Sequence, residues 1–419
     1  MIQATTEWKV TSKPDPVNNR VGHVVAVWDD ITLIWGGLLI DNGELSAGSA
    51  DLIHECDPRE IYCHGDGIWT KRTTHGELPP KLFDGIGEVV GDCLYVACGE
   101  LSSKQHTRSV FESNDIYRLD LNTWMWTKLD PTGTRPLRSR EMASWVSGKN
   151  IFLFGGFSSS EVELENGHPK TLKIEDEGNN QLVFYNCEEN TWNWPITTGE
   201  VPCPRSRHAA FSVSGYYEGT ASDEGKYRQV AFVFGGLHCD RDPLYDLHLL
   251  DLETMKWECI DEDKYTRWPL FRWGHSLNAV SSKYAVLVGG KSFSSVYQKD
   301  IWLLDINKAI SQHAGEEIWI HCEHHSKLDE GMFDHRAVKE PSSQRLWILG
   351  GSREKDENDD EIPRDNIREL AFSSNQKLKM LALEAVTKSF EMLALKVKEL
   401  PTGLRQAAED KYKRKYVIT

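Results

Sequence analysis

Alternation and doublets set the frame of this 419-residue chain. Ala231-Phe232-Val233-Phe234-Gly235-Gly236 is a run of β-branched and aromatic residues that stops at a glycine pair, an ordinary strand signal. The chain repeats it at Leu33-Ile34-Trp35-Gly36-Gly37, Leu153-Phe154-Gly155-Gly156, Val286-Leu287-Val288-Gly289-Gly290 and Trp347-Ile348-Leu349-Gly350-Gly351. Tyr95-Val96-Ala97-Cys98-Gly99 is a degraded copy in which Cys98 replaces a glycine, and a looser unit is expected there. Between Gly36 and Gly350 the doublets recur about every 63 residues. A fixed period of this kind marks a repeat architecture.

Each unit reads as four strands. An R-x-x-H-like element opens it, as in Arg20-Val21-Gly22-His23, Arg205-Ser206-Arg207-His208 and Arg272-Trp273-Gly274-His275. The doublet strand follows. Next comes a D-φ-φ-φ-φ-D strand, such as Asp246 to Asp251 or Asp300 to Asp305, whose aspartates suit strand-end turns. A strand carrying Trp closes the unit (Trp69, Trp126, Trp192, Trp257, Trp319), with the indole expected between units. The sixth unit lacks that last strand after Leu370. The lead-in Glu7-Trp8-Lys9-Val10 is expected to supply it and so remove an open sheet edge.

These residues resemble the kelch family of β-propellers over about residues 5–372, at a pitch longer than the roughly 50 residues of a kelch repeat. The expected fold is all-β: a six-bladed kelch propeller over residues 1–372, then a small α-helical appendix over 373–419. In the appendix Leu378, Leu381, Ala382, Ala385, Val386, Phe390, Leu393 and Val397 keep one apolar helical face, and Pro401 interrupts it.

Composition narrows the function. Sixty-four acidic residues against 48 basic ones leave a net charge of −16, which disfavours nucleic acid and anionic membrane as partners. Nine scattered cysteines read as reduced thiols. The polar stretch Met1 to Asn18 has no signal-peptide core, and no run of 18 apolar residues is present. A cytoplasmic or nuclear protein is expected. Enzyme signatures such as G-x-S-x-G, H-E-x-x-H, a P-loop or paired C-x-x-C are missing. His321-Cys322-Glu323-His324-His325 is a dense His/Cys cluster, but alternation divides it between two faces of a strand. Cys56, Cys63 and His64 read as loop residues. No catalytic residue, metal or cofactor is expected.

The appendix carries the partner signal. Leu378, Ala382 and Val386 stand at the positions of the L-x-x-x-C-x-x-x-φ helix that docks elongin C, with alanine for cysteine. Leu400-Pro401-Thr402-Gly403-Leu404 is similar to the φ-P-x-x-φ cullin box. The order of parts resembles the kelch-domain receptors that read C-terminal diglycine degrons for a cullin-2 ubiquitin ligase. That resemblance implies a substrate-recognition subunit that binds elongin B/C, a cullin with its RING protein, and the C-terminal tails of target proteins. A kelch interaction scaffold whose helix is only a latch is the alternative.

A carboxylate tail calls for bidentate cations. The expected degron-binding set is Arg207 and Ser206, Arg241 in the loop after Gly236, Arg272 with Trp273, Lys291, and the aromatic walls Phe157 and Phe333. Arg205 and Arg272 are the repeat arginines of their opening elements, for which bracing a loop is the alternative reading, and on that ground Arg205 is left out of the set. Arg241 aligns with one carboxylate-binding arginine of the diglycine readers. Leu237 stands where their other arginine would be, and Trp273-Gly274 replaces their Ser-Trp pair.

Overall fold

The computed structural model describes residues 20–40, 53–55, 59–65, 68–101, 112–162, 173–217, 226–238, 240, 242–293, 296–312, 315–322, 330–339, 345–355, 361–363 and 368–371. All lie within the compact unit 6–371. The lead-in strand at Trp8, Arg241 and the whole C-terminal appendix, including Leu378, Ala382, Val386, Leu400, Pro401 and Leu404, lie outside the described residues.

The second strands of four blades share one burial pattern. Ile31–Trp35, Cys93–Ala97, Asn150–Phe154 and Tyr284–Val288 are buried along their last four residues. In the fourth unit Val230 to Phe234 are fully buried. A strand covered on both faces needs a continuous apolar run rather than alternation, which is what these segments supply.

Five antiparallel sheets hold the four strands expected of a blade. The third, for example, runs Ala143–Ser147, Asn150–Phe154, Leu182–Asn186, Thr191–Asn193 in spatial order. A sixth sheet contributes three strands among the described residues, Arg336–Lys339, Arg345–Leu349 and Arg368–Ala371. The inner strands pack side by side in chain order, and Arg336–Lys339 packs back against Val24–Trp28. The architecture is a β-propeller. One short helix, Ile306–Ser311, capped by Asp305, joins the third and outer strands of the fifth blade.

The core lies between blades. Trp126, Trp192, Trp257 and Trp319 each sit in a cluster with residues of the preceding blade. Trp35 meets Trp126 at 5.5 Å, Phe154 meets Trp257 at 5.2 Å and Phe234 meets Trp319 at 5.3 Å. The expected role of the outer-strand tryptophans holds.

The doublets join the blades. The second glycine of each doublet donates its N–H to the opening carbonyl of the next unit: Gly37 to Leu82, Gly99 to Ser139, Gly156 to Arg205, Gly236 to Arg272, Gly290 to Met332, and Gly351 back to Arg20, at 2.8 to 3.0 Å. The first glycine makes the approach possible. It is left-handed, and a Cβ there would sit 2.6 Å from Arg205 O at Gly155, 2.8 Å from Arg272 O at Gly235 and 2.3 Å from Arg20 O at Gly350. The imidazoles of His208, His275, His335 and His23 press on these same glycines from the next unit.

Cys98 takes the same left-handed conformation, with φ of 58°, and is fully buried. The unit is not looser for it, because Gly99 keeps its bond to Ser139. In the next unit Met142 replaces the usual histidine, and Cys98 and Met142 share one apolar cluster.

The D-φ-φ-φ-φ-D strands divide their aspartates between two tasks. The closing residue accepts turn N–H groups as expected: Asp120 from Asn122 and Thr123, Asp251 from Glu253 and Thr254. The leading residue pairs with the opening arginine in the fourth and fifth units, as described below, and Asp115 of the second unit pairs with Lys128 and Arg135. Blade edges are covered by the chain leaving the previous blade. His75–Gly76 runs parallel to Met125–Trp126, and Thr198–Gly199 to Lys256–Trp257. Glu77 and Glu200 then accept the edge N–H groups of Lys128 and Cys259. Such cover removes an exposed template for strand pairing.

Two glycines separate conformational strain from the interblade contact. Gly148 is left-handed with nothing near its Cβ position, whereas Gly235 faces a backbone carbonyl. Gly148→Ala is expected to cost about 1 kcal/mol, the left-handed penalty alone. Gly235→Ala is expected to cost about 3 kcal/mol or more, since backbone must move. Urea unfolding midpoints of the two variants check this, and equal shifts would refute the interblade role.

Candidate functional site: the axial rim

The opening elements converge on one end of the axis. The third residue of each is left-handed: Gly22, Asp84, Glu141, Arg207, Gly274 and Asp334. They are strung together by backbone hydrogen bonds of 2.8 to 3.0 Å, Asp84 N to Gly22 O, Glu141 N to Asp84 O, Arg207 N to Glu141 O, Gly274 N to Arg207 O and Asp334 N to Gly274 O. Below this rim lies a cavity of about 160 Å³ walled by all six inner strands. Glu88 faces it and accepts a 2.7 Å bond from Ser144 Oγ.

Where glycine is replaced at the third position, a charged side chain reaches the rim. Arg207 bonds Asp334 at 2.6 Å and Glu141 at 2.7 Å. Its guanidinium also lies 5.1 Å from the ring of Trp273 and 5.4 Å from that of Phe333, a favourable cation–π arrangement. Ser206 is buried, and its hydroxyl donates to Glu141 at 3.1 Å. Lys291 is buried with its ammonium 5.0 to 5.5 Å from the rings of Trp273, Tyr297 and Phe333. Phe333 packs edge-on to Trp273 at 4.5 Å. Five expected site residues thus come together where the fourth blade, the fifth blade and the sixth sheet meet. Phe157 lies apart on the third blade under the guanidinium of Arg140, which pairs with Glu112 and Glu100.

Arg272 must be reassigned. It is fully buried, pairs bidentately with Asp300 at 2.7 and 2.8 Å, and donates to Gly289 O and Leu270 O. Arg205 does the same with Asp246 and Gly235 O. Each arginine ties its own doublet to the leading aspartate of its third strand. The sequence shows the pair only as unrelated motifs, because the partners are 41 and 28 residues apart.

Asp84, Glu141 and Asp334 were not foreseen. Their signal was a charged residue at the position where the first and fifth units carry glycine. They change the electrostatics of the site. Asp84, Glu100, Glu112, Glu141 and Asp334 face Arg140, Arg207 and Arg336, so the rim is a paired network richer in carboxyl groups than in guanidinium groups rather than a bare cationic pocket.

Burial pushes the carboxyl of Asp334 above the usual range, against the pull of Arg207. Asp84 moves the same way, by burial and then by the charge of Glu141. For Glu141 burial also acts upward, but the charge and hydrogen bond of Arg207 override it and the net direction is down. Burial brings Glu100 to about 7 despite Arg140, and Glu88 to about 7 despite Ser144. A carboxyl raised in the folded state keeps its proton where the unfolded chain, near 4.5, has lost it. Its effect is to lower stability as pH rises from about 4.5 to about 7. The buried histidines His23, His208 and His275, held below their usual range by burial, act the other way over the same window, so the carboxyl contribution is read as a difference between variants. Glu88→Gln is expected to lose less stability, or gain more, than the wild type between pH 5.5 and 8 in urea unfolding, and identical pH dependence of the two would count against an ionising Glu88.

Comparison with known proteins agrees with this geometry. The profile of the KLHDC2/KLHL20/DRC7 Kelch-repeats domain matches residues 22–224 and 173–362. Bovine Kelch domain-containing protein 2 is 28% identical over 306 residues, 69% of this chain and 67% of that protein. Its human counterpart is 27% identical over 238 residues, 53% of this chain and 51% of that protein. Human Host cell factor 2 is 27% identical over 292 residues, 67% of this chain and 32% of that protein. The chain thus spans about two thirds of the bovine relative's length and half or less of the two human ones. With repeated doublets, arginine braces and a profile match over most of its length, the chain belongs to the KLHDC2/KLHL20/DRC7 kelch-repeat domain family.

Proposed function

We propose that this protein is the substrate-recognition subunit of a cullin-RING ubiquitin ligase, non-catalytic itself. It is read as a six-bladed propeller, its last sheet completed by the strand at Trp8. The rim takes the C-terminal tail of a target protein. The helices after residue 372 recruit elongin B/C through Leu378, Ala382 and Val386, and a cullin-2-type cullin with its RING protein through Leu400, Pro401 and Leu404. Holding a target beside a ubiquitin-charged enzyme raises the effective concentration of its lysines.

The observation that carries the receptor reading is the meeting of Arg207, Trp273, Phe333 and Lys291 at the axial end. A guanidinium held against aromatic faces offers charge-assisted hydrogen bonds to the carboxylate of an extended peptide end. Arg241, which follows Gly236 in the sequence, is proposed as a further partner of the tail carboxylate. The scaffold alternative, with no ligase role, draws on the pairing of Arg207 with Glu141 and Asp334. A tail carboxylate must share that guanidinium or use Arg241.

Two measurements divide these readings. Wild-type protein is expected to retain elongin B/C in a pull-down and Leu378→Asp to lose it. Equally low recovery by both would leave only the scaffold. On an array of C-terminal peptides, Arg241→Ala is expected to weaken binding about tenfold or more, the loss of one charge-assisted contact. Amidated peptides are expected to bind the wild type as weakly.

A further inference from the structure

An apolar ledge borders the rim. Leu270, Phe293 and Val296 are 57%, 48% and 54% exposed, and Tyr245 is 41% exposed. Phe271 meets Phe293 at 4.5 Å and Tyr245 at 6.5 Å, Leu270 precedes it in the chain, and Val296 donates its N–H to Phe293 O at 3.4 Å. Exposed apolar side chains scattered singly need no explanation, but a contiguous group beside a concavity does.

The ledge is continuous with the rim. Arg272 is buried in its brace, so its neighbours Phe271 and Trp273 both turn the other way, as alternation in extended chain requires. Phe271 leads to the ledge, and Trp273 leads to Phe333 and Arg207. Beside them Trp273 pairs with Lys291, two residues before Phe293. The result is an aromatic path from half-exposed ledge to axis.

Charge defines what fits on it. The border near Tyr245 carries Glu262 and Asp263, both of which act on the tyrosine hydroxyl, and Asp240 and Asp242 are exposed close by in the chain. The rim is itself richer in carboxyl groups than in guanidinium groups, and the whole chain has a net charge of −16. Along the outer ledge an acidic peptide is repelled and a basic one attracted, and the cations Arg207 and Lys291 stand only at its inner end, against Trp273.

We propose that the ledge and Trp273 form a groove for an extended segment of a partner protein that carries large apolar side chains flanked by lysine or arginine. This rests on the reading of the face as the substrate-receiving surface and assigns that substrate a chemistry. The apolar side chains cover Leu270, Phe271, Phe293 and Val296, and the basic residues answer the carboxylates of the border.

The test uses the full chain and three fluorescein-labelled 12-residue peptides with a common C-terminal residue. One combines leucine and phenylalanine with lysine, one combines them with glutamate, and one combines serine and glycine with lysine. Fluorescence polarisation is expected to show the first binding at least tenfold tighter than the other two. A Leu270→Ser/Phe293→Ser double variant is expected to abolish that preference with little change in thermal midpoint, because both side chains are half exposed. Ile196→Ser, at an 89% exposed site in the linker between the third and fourth blades, is expected to leave it intact. Equal binding of the first and third peptides, or equal binding by wild type and double variant, would overturn the ledge. Preference for the glutamate peptide would overturn its charge rule. A wild-type dimer in sedimentation that the double variant dissociates would assign the ledge to a second copy and overturn the proposal. Amidating the first peptide keeps the two readings apart. Loss of binding on amidation with no effect of the double variant keeps the tail-receptor reading and removes the ledge, whereas no binding by any of the three peptides removes both.

Discussion

The hydrogen bond from the second glycine of each doublet to the next unit's opening carbonyl is the constraint on which the rest of this structure depends. It fixes how closely one blade approaches the next. From that spacing follow the fit of outer-strand tryptophans between blades, the press of each histidine on the glycine before it, and the left-handed turn that aims the third opening residue at the axis. A doublet therefore sets the positions of groups in the following unit as much as in its own. Blade two shows how far the rule bends. Cys98 is tolerated because Met142 stands where a histidine would otherwise crowd it.

The same geometry explains why the functional end is charged in the way it is. Two positions of an opening element serve structure where the repeat residue is present, the arginine of the first, fourth and fifth units in its brace and the histidine of the first, fourth, fifth and sixth units in the interblade contact. The two between them are free to vary. In this chain they hold Arg207, Trp273, Phe333, Glu141, Asp84 and Asp334. The repeat thus leaves a ring of positions open, and in this chain carboxyl groups occupy several of them.

Much of the scaffold was legible because it is repeated. The doublets, the leading arginines and the tryptophans each occur several times, and repetition separates pattern from accident. What was hidden involves partners far apart in sequence. Arg272 looked available until Asp300 closed its fork, and the linker glycines Gly76, Gly133 and Gly199, each pressed against a tryptophan carbonyl of the next blade, were too sparse to read as edge covers. Arg207 was named for its charge, but its two carboxylate partners lie on other units at a position where alternation predicts nothing. Periodicity reports which residues share a face; it does not report which charges meet across an axis.

The bond from Gly351 to Arg20 has a consequence of its own. It joins points about 330 residues apart in the chain, and closing so long a loop costs roughly 5 kcal/mol of chain entropy. That cost falls on a single seam, while the other five doublet bonds join units consecutive in sequence. The ring therefore behaves as a hoop with one clasp. Until the clasp forms, each blade can be in place and the axis still lack a closed wall, so a peptide that grips the rim across the seam would also act as a rivet, and occupancy of the site would register as resistance of the whole ring to opening.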